Sequence, residues 1–209
     1  MRHFRSEHLR EFGHNQEYID QAYDLAINVP GLSCEIGVCR GGGSARMIDN
    51  ILRTCRDITH VMVDPYGHGQ LLPYPLKEDE VVTTYDYTND MRDLIMPDLF
   101  KYASSRNVNA VFFNMEDFEF FNRFADGVPV YKSGTGKQVI NTYSVVYLDG
   151  PHRSDLVLAE LEFFTPRMLP GAAMVIDDVG FWAVDPVKNY LEEHYNIIHF
   201  TDKALAQRK

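Results

Sequence analysis

Residues 33–44, SCEIGVCRGGGS, set Glu35 and Gly37 ahead of three consecutive glycines that begin at Gly41, with Ser44 following. Glycine lacks a Cβ and tolerates positive φ, so such a run lets a ligand lie against bare backbone. The spacing is E-x-G-x-x-x-G. It is not the G-x-G-x-x-G of dinucleotide sites, where a pyrophosphate rests on a helix N-terminus. Glu35 is a poor neighbour for phosphate and a good one for an ammonium group, so the motif predicts a ligand with positive charge and no phosphate. Further along stand three carboxylates, Asp149, Asp177 and Asp178, with His152 three residues past the first. Carboxylates brought together repel unless something positive sits among them. A hard divalent cation with oxygen ligands, Mg²⁺ most readily, meets that demand. In the competing reading Asp178 caps a turn and Asp177 meets backbone amides, as acids at strand ends often do. His152 titrates near neutrality and is a candidate general base; its rivals are a metal ligand and a loop histidine facing solvent.

These residues need a scaffold that brings them together. Short apolar runs at Ser33–Val38, His60–Asp64, Ala110–Asn114, Ser144–Asp149 and Ala172–Asp177 read as strands buried on both faces of a parallel sheet. Helical spacing lies between them at 44–55, where Met47, Ile48, Ile51, Leu52 and Cys55 recur, and at 88–104 and 153–168. The alternation predicts an α/β, doubly wound, mostly parallel sheet. A helix over 15–28 is stopped by VPG at 29–31, and the tail YNIIHFTDKALAQRK predicts an antiparallel closing hairpin about a TD turn. In open α/β sheets, ligands sit at the carboxyl ends of the strands near the switch point. Every candidate residue falls at such an end. Asp64 emerges from VMV, where it would accept from two ribose hydroxyls; alternatively it forms a turn before Pro65.

The order of these motifs resembles the class I S-adenosylmethionine-dependent methyltransferases, from about Leu32 to the C-terminus. It looks closest to small metal-dependent O-methyltransferases of the macrolide-sugar type. The residues that carry the likeness are Glu35, Gly37, Gly41, Ser44 and Asp64, then LDGPH at 148–152 and LPGAAMVIDDV at 169–179. The resemblance implies a Rossmann-like sheet with an antiparallel C-terminal strand, S-adenosylmethionine as cofactor, and methyl transfer to a small-molecule hydroxyl. It places adenine contacts at Asn114 to Asp117, with Glu116 or Asp117 facing the ring. It also implies Mg²⁺ on Asp149, Asp177 and Asp178, with His152 and Asp149 as the catalytic pair. The rival readings are a nucleotide-using sheet enzyme and a methyltransferase fold that binds or assembles without turnover.

Composition narrows the partners. A 209-residue chain with 45 % hydrophobic content suits a single domain with a substantial core. A net charge of −10 argues against nucleic acid, which demands clustered Lys and Arg. Cys34, Cys39 and Cys55 show no disulfide or zinc spacing and read as buried free thiols. The N-terminus has no hydrophobic signal core and no apolar run approaches spanning length, so a cytoplasmic protein without membrane contact is the expectation, with a homo-oligomer as an open alternative to a monomer. Beyond the minimal fold lie an N-terminal helical segment (1–31), a Pro- and Tyr-rich insertion (65–87) and a hairpin (126–143). These three are expected to build the acceptor pocket, with Phe181 and Trp182 as its wall or as core residues. Inside the hairpin, GTGK has the look of a phosphate loop, but Tyr131 stands at its first glycine position and Gln138 at its Ser/Thr; a turn is the better reading.

Overall fold

The computed structural model describes residues 16–67, 88–132, 134–180 and 184–209. The chain runs α1 (Gln16–Leu25), β1 (Leu32–Ile36), α2 (Gly42–Arg53), β2 (Thr59–Val63), α3 (Asn89–Ser105), β3 (Asn109–Phe113) and α4 (Asp117–Arg123). It continues through β4 (Val128–Lys132), β5 (Gly136–Ile140), β6 (Tyr143–Leu148), α5 (Ser154–Phe164) and β7 (Met168–Ile176). It closes with α6 (Asp185–His194), β8 (Tyr195–Phe200) and β9 (Ala204–Arg208). Seven strands form one sheet in the order β3-β2-β1-β6-β7-β9-β8, and β4 pairs with β5 alone. The first five in that order are parallel, while β9 runs antiparallel to both β7 and β8. Every residue of β1, β2 and β6 is buried, which is why these strands read as continuous apolar runs. The doubly wound sheet and the closing hairpin are as expected.

From β1 the chain steps outward to β2 and β3, then returns to β6 on the other side of β1. Right-handed crossovers therefore place α2 and α3 on one face and α5 on the opposite one. Packing agrees: α1 and α3 touch α2, while α6 touches α5. Helix α2 presses Met47, Ile48 and Ile51 into the core at 1 % exposure or less, and truncation of such a side chain costs about 2–5 kcal/mol. Leu52 and Cys55, expected on that same stripe, are exposed instead. All three cysteines are free thiols, but only Cys34 is buried. On the other face Phe121 stacks on Phe163 at 4.2 Å, and Phe113, Phe120 and Phe124 close the cluster that seats α4 against α5.

The β4–β5 hairpin is not where the acceptor pocket was expected. Lys132 donates to the Asp57 carboxylate and carbonyl at 2.8 Å, just before β2 begins. The hairpin then leads directly into the start of β6. It therefore lies at the amino edge of the sheet, opposite the strand ends that carry the chemistry. Its GTGK segment is the tight turn, with Gly134 at φ 86° and Gly136 at φ 71°. The insertion expected at 65–87 falls beyond Gly67 outside the described residues, as do Phe181 and Trp182.

Candidate functional site

Strand register assembles the site. Ile36 pairs with Val63 and Leu148, Val63 with Phe113, and Leu148 with Ile176. The next residue on each strand is Gly37, Asp64, Asn114, Asp149 or Asp177, so all five share one row at the carboxyl edge. Four of them continue the ladder by one bond: Gly37 N–H to Val63, Asp64 to Phe113, Asp149 to Ile36 and Asp177 to Leu148, at 2.8–3.2 Å. The sheet, not the loops, fixes these positions.

The glycine loop is held from beneath. Asp64 is 2 % exposed; its Oδ2 accepts from the amides of Val38 (2.8 Å) and Cys39 (3.0 Å). Its Oδ1 is buried without a hydrogen bond. Burial pushes its pKa up to about 6, against the Cys39, Val38 and Tyr66 amides that lower it. Gly37 sits at φ 85°, and a Cβ there would lie 2.1 Å from the Asp149 carbonyl. Its bare Cα is required by the neighbouring strand end rather than by the space of a ligand. Gly41, at φ 79°, begins α2, and a Cβ there would meet Leu99 and Ile95 of α3. Tyr66 straps the loop from above: its hydroxyl donates to the Cys39 carbonyl, while its own carbonyl accepts from Asn114 at 3.2 Å.

Glu35 does not face the open edge. It is 1 % exposed, accepts from the Ser44 hydroxyl, and lies where a Gly43 Cβ would stand. Burial holds its pKa well above the carboxylate range. Below it runs a polar chain that the sequence reading did not single out. Tyr23 donates to Ser33 at 2.7 Å, and Ser33 meets His60 Nδ1 at 2.8 Å. Burial lowers the His60 pKa to about 3, so its ring is neutral. Glu35 and Ser44, both expected at the cofactor, thus join α2 to the sheet beneath the loop.

The ends of β3 and α4 separate the two adenine candidates. Glu116 is exposed as the residue before α4, while Asp117 turns inward, accepting from the Phe118 amide at 2.8 Å. Asp117 faces Glu160 of α5, which is fully buried. Burial raises both pKa values; Asp117 adds to the rise at Glu160, while the hydrogen bond between them moderates it at Asp117. Glu160 was missed in the sequence, although it interrupts the buried stripe of Val157, Leu161 and Phe164.

At the other end of the row, His152 lies between two carboxylates, with Nε2 3.7 Å from Asp149 and Nδ1 3.6 Å from Asp178. All three are partly exposed. Asp178 takes a left-handed φ of 55°, and burial raises its pKa, opposed first by His152. Asp177 departs from expectation. Its Oδ1 accepts from buried Lys203 and from the Asp178 amide (2.8 Å), and its Oδ2 from Tyr147 (2.9 Å). Among the described residues no cluster of acids, histidines and cysteines is arranged to hold a metal ion. The expected set of Asp149, Asp177 and Asp178 fails because an ammonium already occupies Asp177. S-adenosylmethionine fares better: the orphaned Asp64 Oδ1 is an acceptor awaiting a donor such as a ribose hydroxyl.

Comparison with known proteins agrees with this geometry. A family model described as a methyltransferase domain matches residues 34–179, from β1 to just past the acidic pair. No curated protein sequence matches the chain. Among solved structures, CalS11, a TDP-rhamnose 3'-O-methyltransferase of calicheamicin biosynthesis, aligns with TM-score 0.61 at 12 % identity, over 92 % of this chain and 78 % of its own. The O-methyltransferase NovP aligns at 0.56 with 21 % identity, over 93 % and 79 %. MycE from mycinamycin biosynthesis, solved with Mg and S-adenosylhomocysteine, aligns at 0.51 with 16 % identity, over 94 % and 50 %. At these identities the likeness is one of fold.

Proposed function

Because the chain belongs to the methyltransferase-domain family, we propose that this S-adenosylmethionine-dependent enzyme methylates a hydroxyl group of a small molecule. The observation that carries the reading is the single row of Gly37, Asp64, Asn114, Asp149 and Asp177 at the strand ends. When bound, S-adenosylmethionine supplies an electrophilic methyl group on a sulfonium. Asp64 Oδ1 would hold the ribose, Glu116 is the exposed acid at the adenine position, and the loop from Gly37 to Gly41 supplies the floor. His152 takes the acceptor's proton. Its ring lies between Asp149 and Asp178, so the positive charge it gains faces a carboxylate on either side. Orientation does much of the rest, because aligning two bound reactants removes several kcal/mol of barrier.

Mg²⁺, which the resemblance implies, is left out of this mechanism because Asp177 is engaged by Lys203. A cytoplasmic setting, a lone small-molecule partner and self-association stay within the proposal as expectations. The test is a thermal-shift panel of S-adenosylmethionine, S-adenosylhomocysteine, NAD and ATP, followed by transfer of a labelled methyl group to a set of hydroxylated acceptors. A ligand that binds only the native state raises the melting temperature by mass action. Stabilisation by the first two ligands alone, with label transferred to an alcohol or phenol, is the expected result. Stabilisation by NAD or ATP instead would overturn the reading, and cofactor binding without transfer to any acceptor would favour a binding module.

A further inference from the structure

The acidic row carries its own counter-charge. Strands β7 and β9 pair antiparallel, Val175 with Leu205 and Ile176 with Ala204. One step further along, that register sets Asp177 opposite Lys203. The turn between β8 and β9 is closed by the Thr201 amide donating to the Lys203 carbonyl at 3.0 Å, which fixes the lysine's backbone. Its side chain is 7 % exposed and that of Asp177 6 %, so the ion pair is sealed from water. The side chains of Asp149 and Asp178, by contrast, are 32 % and 39 % exposed.

Resting on the methyl-transfer reading above, we infer that Lys203 takes the place of a divalent cation here, so that the acceptor is held and deprotonated by Asp149 and His152 without a metal. Asp177 Oδ1 is engaged by Lys203 and the Asp178 amide, and its Oδ2 shares the Tyr147 hydroxyl with Asp149. A cation that used Asp177 would have to displace the ammonium or sit beside it, and two positive charges that close in a poorly solvated site repel strongly. Ejecting a buried lysine from its sealed carboxylate partner leaves a poorly compensated charge. The ammonium also acts beyond Asp177. Tyr147 has one hydroxyl proton and two carboxylates within reach, Asp177 at 2.9 Å and Asp149 at 3.0 Å. With Lys203 neutralising Asp177, that proton is freer to serve Asp149, the acid next to His152. Lys203 is thus a positioning residue that works through Asp177 and Tyr147.

The experiment titrates Mn²⁺ into the full chain in the presence of S-adenosylhomocysteine and follows free Mn²⁺ by electron paramagnetic resonance. The parent should take up no stoichiometric Mn²⁺. Lys203→Met exposes three uncompensated carboxylates and should gain one Mn²⁺ site, with a melting temperature that is lowered and then raised again by the metal. Lys203→Arg keeps the charge and should behave as the parent does, which a merely structural lysine would not require. One Mn²⁺ bound by the parent and lost in Asp177→Asn would overturn the inference, as would a folded Lys203→Met that gains no site. If Lys203→Met fails to fold, the parent, Lys203→Arg and Asp177→Asn still decide it. Calorimetry with S-adenosylhomocysteine on the same samples keeps the two readings apart, because a parent that binds neither ligand fails only the methyltransferase assignment.

Discussion

Replacing Asp64 with asparagine should remove a defined share of the protein's pH dependence. The carboxyl is 2 % exposed, and its pKa moves from an ordinary 3.8 to about 6 on folding. About two pH units at ~1.4 kcal/mol each is ~3 kcal/mol, an upper figure for so buried a group. The sign follows from proton binding. Below pH 4 both states hold the proton and the full contribution is present. Between pH 4 and 6 the unfolded chain releases it while the folded chain keeps it, so stability falls as pH rises, then levels off. Asp64→Asn adds an amide where Oδ1 lacks a partner, but that offset does not vary with pH. The measured quantity is the difference in unfolding free energy between variant and parent, from urea titrations at intervals from pH 4 to pH 7.5. It should shift by ~3 kcal/mol in favour of the variant across that range. A flat difference would refute the claim that the loop stands on a desolvated carboxylate. The same residue links to the ligand: a ribose hydroxyl donating to Oδ1 favours the ionised form, so binding of S-adenosylhomocysteine should release a proton near pH 5–6 and weaken below it.

Three other substitutions probe separate parts of the row. Gly37→Ala combines a left-handed φ with a Cβ 2.1 Å from the Asp149 carbonyl, and should lose more than the roughly 1–2 kcal/mol of the backbone penalty alone, read by urea unfolding. Glu160→Gln removes one member of a buried carboxyl pair; since burial raises both pKa values, the parent's stability declines as pH rises, and the variant should show a shallower decline in the same titrations. His152→Ala should keep S-adenosylhomocysteine affinity in calorimetry yet slow single-turnover methyl transfer by roughly 10²–10⁴, the usual contribution of a positioned base.

The strands were legible because a sheet covered on both faces demands largely apolar runs, and 61–63 and 145–148 are such runs. The row was legible for a related reason: polar residues that end such runs must lie at one edge of the sheet. What escaped was the destination of each side chain. Glu35 precedes a glycine loop whether it faces a ligand or turns under α2 to Ser44, and only packing decides between the two. Lys203 lies 26 residues past Asp177 on a hairpin whose register the sequence does not state. Glu160 did leave a signal, an acid on an otherwise apolar helical stripe, and buried acids on such stripes need a stated partner. The sequence predicts the hairpin at 126–143 but not its place at the amino edge, away from the expected acceptor pocket, since composition says nothing about which end of a sheet a connection covers.

Exposure divides the acids at this edge by what the fold has already done with them. Glu35, Asp64 and Asp177 are each 4 % exposed or less, and each accepts from donors that belong to the chain: a hydroxyl, two loop amides, an ammonium. A carboxylate satisfied in this way stabilises the scaffold and has little left for a substrate. Asp64 keeps a buried oxygen without a hydrogen bond, and the proposed ribose contact rests on it. Asp149 and Asp178, flanking His152, retain solvent access. The acidic residues of one sheet edge therefore split into a buried set already paired within the chain and a more exposed set beside His152. Lys203 draws the boundary. By taking Asp177 into the structural set it leaves Asp149, Asp178 and His152 as the more open groups, the arrangement on which the proposed metal-free proton transfer rests.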